Sequence, residues 1–173
     1  MKKLLSVCII LILALAAYCQ TPEERLTKSG IILPAPQIPV ANYVNAVRVG
    51  NLIYLAGKGP TKPDGTHITG RVGKELTIQQ GYDAARLTGI NQLAVLKTEL
   101  GSLNKVKRIV KVFGMVHCAE DFIDHPKVIN GFSDLMVEIF GDNGKHARSA
   151  VGMYALPMNI AVEVEMIVEV YPD

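Results

Sequence analysis

Two residues near the C-terminus have the side chains and the spacing to act together on a small polar ligand. Arg148 begins the segment RSAVG, and Glu163 lies in the segment VEVE after an intervening Leu156-Pro157. If these segments form a β-hairpin that turns near residues 155 and 156, Arg148 lies opposite Glu163, with the two Cβ atoms about 4.5–5.5 Å apart. A guanidinium and a carboxylate at that distance either neutralise each other or hold a polarised ligand between them.

Alternating side chains predict that Glu163 lies on a half-buried strand. Between residues 162 and 170, apolar residues alternate with a second set that includes Glu163, Glu165 and Glu169. Such a pattern packs one strand face on a core and leaves the other to solvent. On the preceding strand, Arg148 and Ala150 share one face. Because arginine binds a carboxylate through a planar fork of donors, Arg148 is a candidate anchor for a ligand acid group.

The remaining patterns predict an α+β domain. Capping boxes at Thr21 and Thr77 open two helices, and Gly30 and Gly101 end them. Prolines at positions 34, 36 and 39 predict an extended arm over residues 31–39. The order strand, strand, helix, strand, helix, strand, strand favours one layer of helices against one sheet. The predicted ranges are 44–48, 52–56, 77–100, 106–118, 126–140, 147–154 and 160–171.

Length and composition predict one folded domain behind an N-terminal signal. The chain has 173 residues, 49% of them hydrophobic, which is enough for a single core. Lys2 and Lys3 precede an apolar run, residues 4–17, that is shorter than the about 20 residues of a membrane span. We predict a signal peptide (1–19), a helix and arm (20–39) and the main domain (40–173). The protein is then exported to the periplasm or secreted.

Cys19 leaves the processing of this signal open. Cleavage after Cys19 fits the small residues at positions 17 and 19. Lipidation at Cys19 is the alternative, although Tyr18 is bulky where a small residue is wanted. In neither case does the protein carry a stable membrane span.

Charge and cysteine content argue against several classes of protein. Without Lys2 and Lys3, 18 − 2 = 16 basic residues face 16 acidic ones, so the basic excess typical of nucleic-acid-binding proteins is missing. Cys118 is left without an intramolecular disulfide partner. The four histidines show no metal-ligand spacing, and no glycine-rich loop matches a nucleotide-binding motif. We therefore expect no nucleic acid, metal or nucleotide partner.

Several ordered motifs resemble the reactive intermediate deaminase family, also called RidA or YjgF-like. They are Tyr43 in VANYV, Gly57 after the second strand, Asn130 in VINGF, Arg148-Ser149, and the ending that contains Glu163. The resemblance spans roughly residues 40 to 172. Segments 21–26, 70–73 and 127–134 are more similar to the branch of larger YjgF-like proteins than to the small founding enzymes.

The resemblance implies a fold, an assembly and a reaction. The fold is α+β and chorismate-mutase-like, with one mixed β-sheet and two main helices packed on one face. The assembly is a homotrimer with ligand clefts between subunits. Founding members hydrolyse 2-imino acids to 2-oxo acids and ammonia, and no metal or organic cofactor is implied.

Family roles carry over to matching positions of this chain. Arg148 is expected to bind the substrate carboxylate, and Glu163 to orient or deprotonate the attacking water. Tyr43 is expected to form part of the wall of the ligand cleft. Asn130 is expected to support the site through hydrogen bonds. The expected substrate-binding set is Tyr43, Gly57, Lys58, Asn130 and Ala150.

The chain departs from the founding enzymes around this expected site. Ala56 replaces a serine, Lys58 a glutamine, and Ala150 a cysteine two residues beyond Arg148. Lys58 either adds a second positive contact for an anion or is solvated in a loop. Export would also separate the protein from the cytoplasmic dehydratases that release imines. Two alternatives therefore stay open: a non-catalytic trimer that binds small carboxylates, and an RNA-cleaving protein, an activity attributed to some relatives.

Overall fold

A computed structural model describes residues 20–39 and 41–172 of the chain. The predicted signal peptide and the alternative lipid anchor at Cys19 lie outside the described residues, so both stay predictions. Within these two ranges, no helix is long and apolar enough to cross a membrane. The helices are α1 (Pro22–Ser29), α2 (Ile78–Leu100) and α3 (His125–Phe140). The strands are β1 (Ala46–Val49), β2 (Leu52–Lys58), β3 (Val106–His117), β4 (Ala147–Met153) and β5 (Val162–Val170).

The capping signals determine where α1 and α2 begin and end. Thr21 Oγ1 accepts the backbone N–H of Glu24, whose carboxylate accepts the N–H of Thr21 in return. Thr77 and Gln80 make the same pair of bonds at the start of α2. Both helices end at a glycine in the left-handed region, with φ of 70° at residue 30 and 77° at residue 101. The predicted capping boxes are confirmed.

The five strands form one mixed sheet in the order β1-β2-β5-β3-β4. All neighbouring pairs are antiparallel except β3 and β4, which are parallel. The α2 and α3 helices pack against each other and against one face of this sheet. The predicted α+β fold, with a mixed sheet and two main helices on one face, is confirmed.

The predicted hairpin between the last two strands is wrong. β3 lies between β4 and β5 and pairs with both, so Arg148 is not opposite Glu163. Val112 and Val116 of β3 are fully buried, and such an apolar strand is stabilised at the centre of a sheet. The link after β4 contains a 3-10 turn, Pro157–Asn159, with positive φ at Met158 and Asn159. This link lets the chain pass β3 and return in the opposite direction.

A close crossing of α2 and α3 fixes how α3 faces β4. Gly131 of α3 lies against the backbone of α2, where the Cβ of any other residue would collide with the carbonyl oxygen of Tyr82. Phe132 and Leu135 on the same helix are fully buried. The rotation of α3 is therefore set by packing, and this rotation determines which of its side chains reach the neighbouring strand.

Candidate functional site

The Arg148 side chain reaches from the edge strand β4 to α3. Its Nη1 atom donates to Asn130 Oδ1 and to Ser133 Oγ, both at 2.9 Å. No carboxylate of the described residues forms an ion pair with it, and its Nε and Nη2 atoms make no hydrogen bond to those residues. Burial lowers the pKa of Arg148, while Asp134 acts in the other direction. Because arginine stays protonated in proteins, a cationic fork with open donors remains available to an anion.

A chain of hydrogen bonds holds this guanidinium in place. His146 Nδ1 lies 2.6 Å from the carbonyl oxygen of Gly144, and His146 Nε2 lies 3.0 Å from Ser133 Oγ. A carbonyl only accepts, so Nδ1 carries the proton of a neutral ring and Nε2 accepts the Ser133 hydroxyl. The Ser133 oxygen is then free to accept from Arg148. Burial lowers the pKa of His146, and Arg148 lowers it further, which favours this neutral form.

His146 gives the fold a pH dependence with a defined sign. Because its pKa is lower in the folded chain than in the unfolded chain, the unfolded chain takes up a proton first as pH falls below about 6.5. Stability is then lost between that pH and the folded pKa. We expect the wild-type melting temperature to fall roughly 2 °C more than that of His146→Gln between pH 7.5 and pH 5. Differential scanning calorimetry checks this, and equal falls would contradict it.

Glu163 lies on the opposite face of the sheet from Arg148. Arg148 is in register with the buried Val112 of β3, whereas Glu163 is in register with Met115. Val112 and Met115 are three residues apart on the same strand, so their side chains point to opposite faces of the sheet. The Glu163 side chain covers Gly57 of β2 so closely that any Cβ there would collide with its Oε1 atom. Glu163 is half-buried, and no hydrogen bond ties its carboxylate to the described residues. Burial raises its pKa, and the nearby Glu165 raises it further.

The structure divides the predicted site residues into separate groups. Asn130 contacts Arg148, and Ala150 lies two residues along β4 on the same face. Gly57 lies beneath Glu163 on the other face. Tyr43 is half-exposed in the loop before β1, and Lys58 lines a different cavity under the N-terminal arm. One chain alone does not bring these groups together. The roles assigned to them therefore stay predictions.

Ser133 and His146 were not predicted as part of the site. Ser133 lies three residues after Asn130 on α3, and His146 lies two residues before Arg148 in the extended segment that leads into β4. Side chains at those spacings share a face, so both had a signal in the sequence. Arg148, Asn130, Ser133 and His146 are named the arginine cluster below. Within the described ranges, no group of three or more His, Cys, Asp or Glu residues could hold a metal ion.

The face of the sheet that carries Glu163 exposes apolar side chains. Val44, Val47 and Tyr54 are each more than two-fifths exposed, with values of 58%, 51% and 43%. Together with Phe113 and Ile167 they line an open cavity of about 320 Å³. Contiguous exposed apolar surface of this kind marks interaction sites more often than single exposed residues do.

The fold is that of an α+β protein with a mixed sheet and two main helices on one face, and the arginine cluster lies at the β4 edge of this sheet. The chain belongs to the YjgF/RidA family: residues 23–170 match the family described as "YjgF/chorismate mutase-like, putative endoribonuclease". The resemblance found in the sequence is therefore confirmed.

Three relatives illustrate how broad this family is. Protein TCP17 of Trypanosoma cruzi is 39% identical over 146 residues, which cover 84% of this chain and 91% of that protein. A 2-iminobutanoate/2-iminopropanoate deaminase of Dermatophagoides farinae is 34% identical over 135 residues, covering 78% and 89%. The crystal structure of Atu1372 from Agrobacterium tumefaciens, a protein of unknown function, has a TM-score of 0.81 at 39% identity, covering 87% and 92%.

Proposed function

We propose that this protein hydrolyses reactive 2-imino and enamine acids to 2-oxo acids and ammonia without a cofactor. One observation carries the proposal: the half-buried guanidinium of Arg148 is held by Asn130 and Ser133 on one side and forms no ion pair with a carboxylate of the described residues. A ligand carboxylate is the natural counter-ion for such a fork. The deaminase from Dermatophagoides farinae supports the choice of reaction.

The chemistry requires little beyond positioning and a modest base. A protonated imine is already electrophilic at carbon, so water adds to it to give a carbinolamine. Collapse of this intermediate forms the carbonyl of the 2-oxo acid and releases ammonia. Arg148 holds the carboxylate, and Glu163 takes a proton from water and returns it to the leaving nitrogen. Burial raises the pKa of Glu163 toward the working pH, which suits that exchange.

The reaction needs Arg148 and Glu163 on one substrate, and this requires more than one chain. Within a chain the two side chains lie on opposite sheet faces. We therefore propose a homotrimer whose clefts combine the arginine cluster of one copy with Glu163 of the next. The exposed apolar face around Val44, Val47 and Tyr54 supports burial of that face against another copy.

A coupled assay tests the proposal. An L-amino-acid oxidase generates a 2-imino acid, semicarbazide traps the remaining imine, and semicarbazone absorbance is followed with and without the purified protein. We expect the protein to lower the rate of semicarbazone formation in proportion to its concentration. A rate independent of the protein over a tenfold range of concentration would rule out imine hydrolysis for that substrate.

One alternative has specific support in the sequence. Ala56 and Ala150 replace the serine and cysteine of the founding enzymes, so the site has lost two polar groups. This loss favours, as the second candidate function, a carboxylate-binding trimer without turnover. Saturable 2-oxobutanoate binding that Arg148→Ala weakens, together with no effect in the coupled assay, would establish that function. RNA cleavage, named in the family description, is opposed by the neutral charge predicted for the mature chain.

A further inference from the structure

A second cavity lies beneath the N-terminal arm of residues 31–39, away from the arginine cluster. It measures about 210 Å³ and is walled by the arm, the end of β2, the loop that follows and one side of α2. Its lining residues include Pro34, Pro36, Lys58, Asn91 and Val95. Sites for drug-sized ligands measure about 300–1,000 Å³, so this cavity fits a smaller molecule.

Side-chain hydrogen bonds fix the walls of this arm cavity. Asn91 Nδ2 of α2 donates to the carbonyl oxygens of Gly59 at 3.0 Å and Thr61 at 3.1 Å, which ties the loop to the helix. Asn45 Nδ2 donates to the carbonyl oxygen of Gln37 at 3.0 Å, which ties the arm to the strand region. The cavity is therefore a space with anchored walls, and its shape is set before any ligand enters.

Lys58 brings a positive charge into this cavity without a counter-ion. Its ammonium donates to Asn45 Oδ1, a neutral amide oxygen, and no carboxylate of the described residues forms an ion pair with it. The side chain is about half-buried, and this desolvation lowers its pKa with no opposing cause. A partly desolvated cation is stabilised by an anion, and an anion also has two further ammonium donors available to it.

The other lining residues narrow the class of anion. Lys62 is the only other charged residue among those that line the cavity, and no aspartate or glutamate does so. Prolines 34, 36 and 63, with Ala94 and Val95, supply apolar walls. Lysine pairs with carboxylates and phosphates alike, so the apolar walls decide between them, because they favour an anion that carries a hydrocarbon chain. A short aliphatic carboxylate can pair its acid group with the lysine and pack its hydrocarbon chain against the apolar walls.

We propose that the arm cavity is a second binding site, specific for a short-chain monocarboxylate whose acid group pairs with Lys58. This site is separate from the arginine cluster, because β2 and β4 are three strand positions apart in the sheet, or roughly 14 Å. A molecule of metabolite size does not span that distance. The proposal holds whether or not the protein turns over imines, so its failure and the failure of the proposed function are distinguishable.

Binding of ¹³C-labelled butyrate, measured by NMR on the purified protein, tests this site. Arg148→Ala is the background, because it removes the anchor of the first site. In that background we expect one butyrate per chain. Adding Lys58→Met should weaken binding at least tenfold, because it removes the charge and keeps the length of the side chain. Lys74→Met, a matched change outside the cavity, should alter the dissociation constant less than twofold.

Three results would overturn the proposal. One is no saturable butyrate binding to the Arg148→Ala protein. Another is equal binding before and after Lys58→Met. The third is displacement of butyrate by inorganic phosphate at equal ionic strength, which would show that the site selects charge and not a carboxylate with a chain. Calorimetry of each variant confirms folding, and Lys58→Gln replaces Lys58→Met if the methionine variant does not fold.

Discussion

Replacing Arg148 by alanine is expected to return imine hydrolysis to the uncatalysed rate and to abolish binding of 2-oxobutanoate at the arginine cluster. The guanidinium offers two or more charge-assisted hydrogen bonds to a carboxylate, and each is worth about 1.5–3 kcal/mol. Their loss predicts a fall of at least about 10²-fold in kcat/KM. The coupled imine assay measures the rate. Isothermal titration calorimetry measures the binding, with Lys58→Met present in both proteins so that the arm cavity does not contribute.

Two matched variants control this experiment. Arg86→Ala removes an arginine that pairs with Glu138 on the outer surface of the helices, and we expect its activity to stay within twofold of wild type. Arg148→Lys keeps the charge but loses the fork, so its activity should lie between those of wild type and Arg148→Ala. Full activity of the Arg148→Ala protein would show that the arginine cluster is not the substrate anchor.

Glu163→Gln is expected to separate binding from turnover. Glutamine has nearly the same shape but does not take a proton from water, so kcat should fall about 10²–10⁴-fold. The affinity for 2-oxobutanoate, held by Arg148, should change less than threefold. Glu165→Gln is the matched control, because residue 165 lies two positions along the same face and is more exposed. A loss of affinity that matches the loss of kcat would contradict the assigned role.

The same substitution should stabilise the fold at neutral pH. Burial raises the folded pKa of Glu163 above its unfolded value, so the folded chain binds this proton more tightly. Ionisation therefore costs stability, which is lost progressively as pH rises from about 4.5 through the folded pKa. Glutamine avoids that cost. We expect Glu163→Gln to melt roughly 1–3 °C above wild type at pH 7.5 and no higher at pH 4. An equal difference at both pH values would contradict this explanation.

Local sequence signals predicted most of the elements, because their causes lie within a few residues. The capping boxes at Thr21 and Thr77 are short-range hydrogen-bond patterns, and the structure contains both. The alternation from Val162 to Val170 predicted which side chains of β5 face the core. These signals do not depend on how distant segments meet.

Strand order was the point at which sequence reasoning failed. Strands that follow each other along the chain usually pair, and this expectation produced the wrong hairpin. The structure places β3 between β4 and β5, and this insertion moves Arg148 and Glu163 to opposite faces. The preference for a central apolar strand involves segments separated by dozens of residues. The strand order is therefore not encoded in the local pattern of β4 or of β5.

The site was predicted in part for a related reason. Asn130 came from the resemblance to the family, and its bond to Arg148 is present. Ser133 and His146 were missed because neither belongs to a recognisable motif. Only the packing of α3 on β4 brings them to the guanidinium. Lys58 was expected beside the substrate, but a register shift in β2 between Leu55 and Lys58 pairs it with Val164 and turns it toward α2 and the arm.

Co-assembly of two inactive variants tests the central claim most directly. Arg148→Ala and Glu163→Gln chains are expressed together with different affinity tags, and assemblies that carry both tags are purified. If each cleft takes Arg148 from one copy and Glu163 from the next, one cleft in a mixed trimer is intact. We expect about one third of wild-type imine hydrolysis, although each variant alone is inactive. Mixed assemblies as inactive as either variant would contradict a site shared between copies.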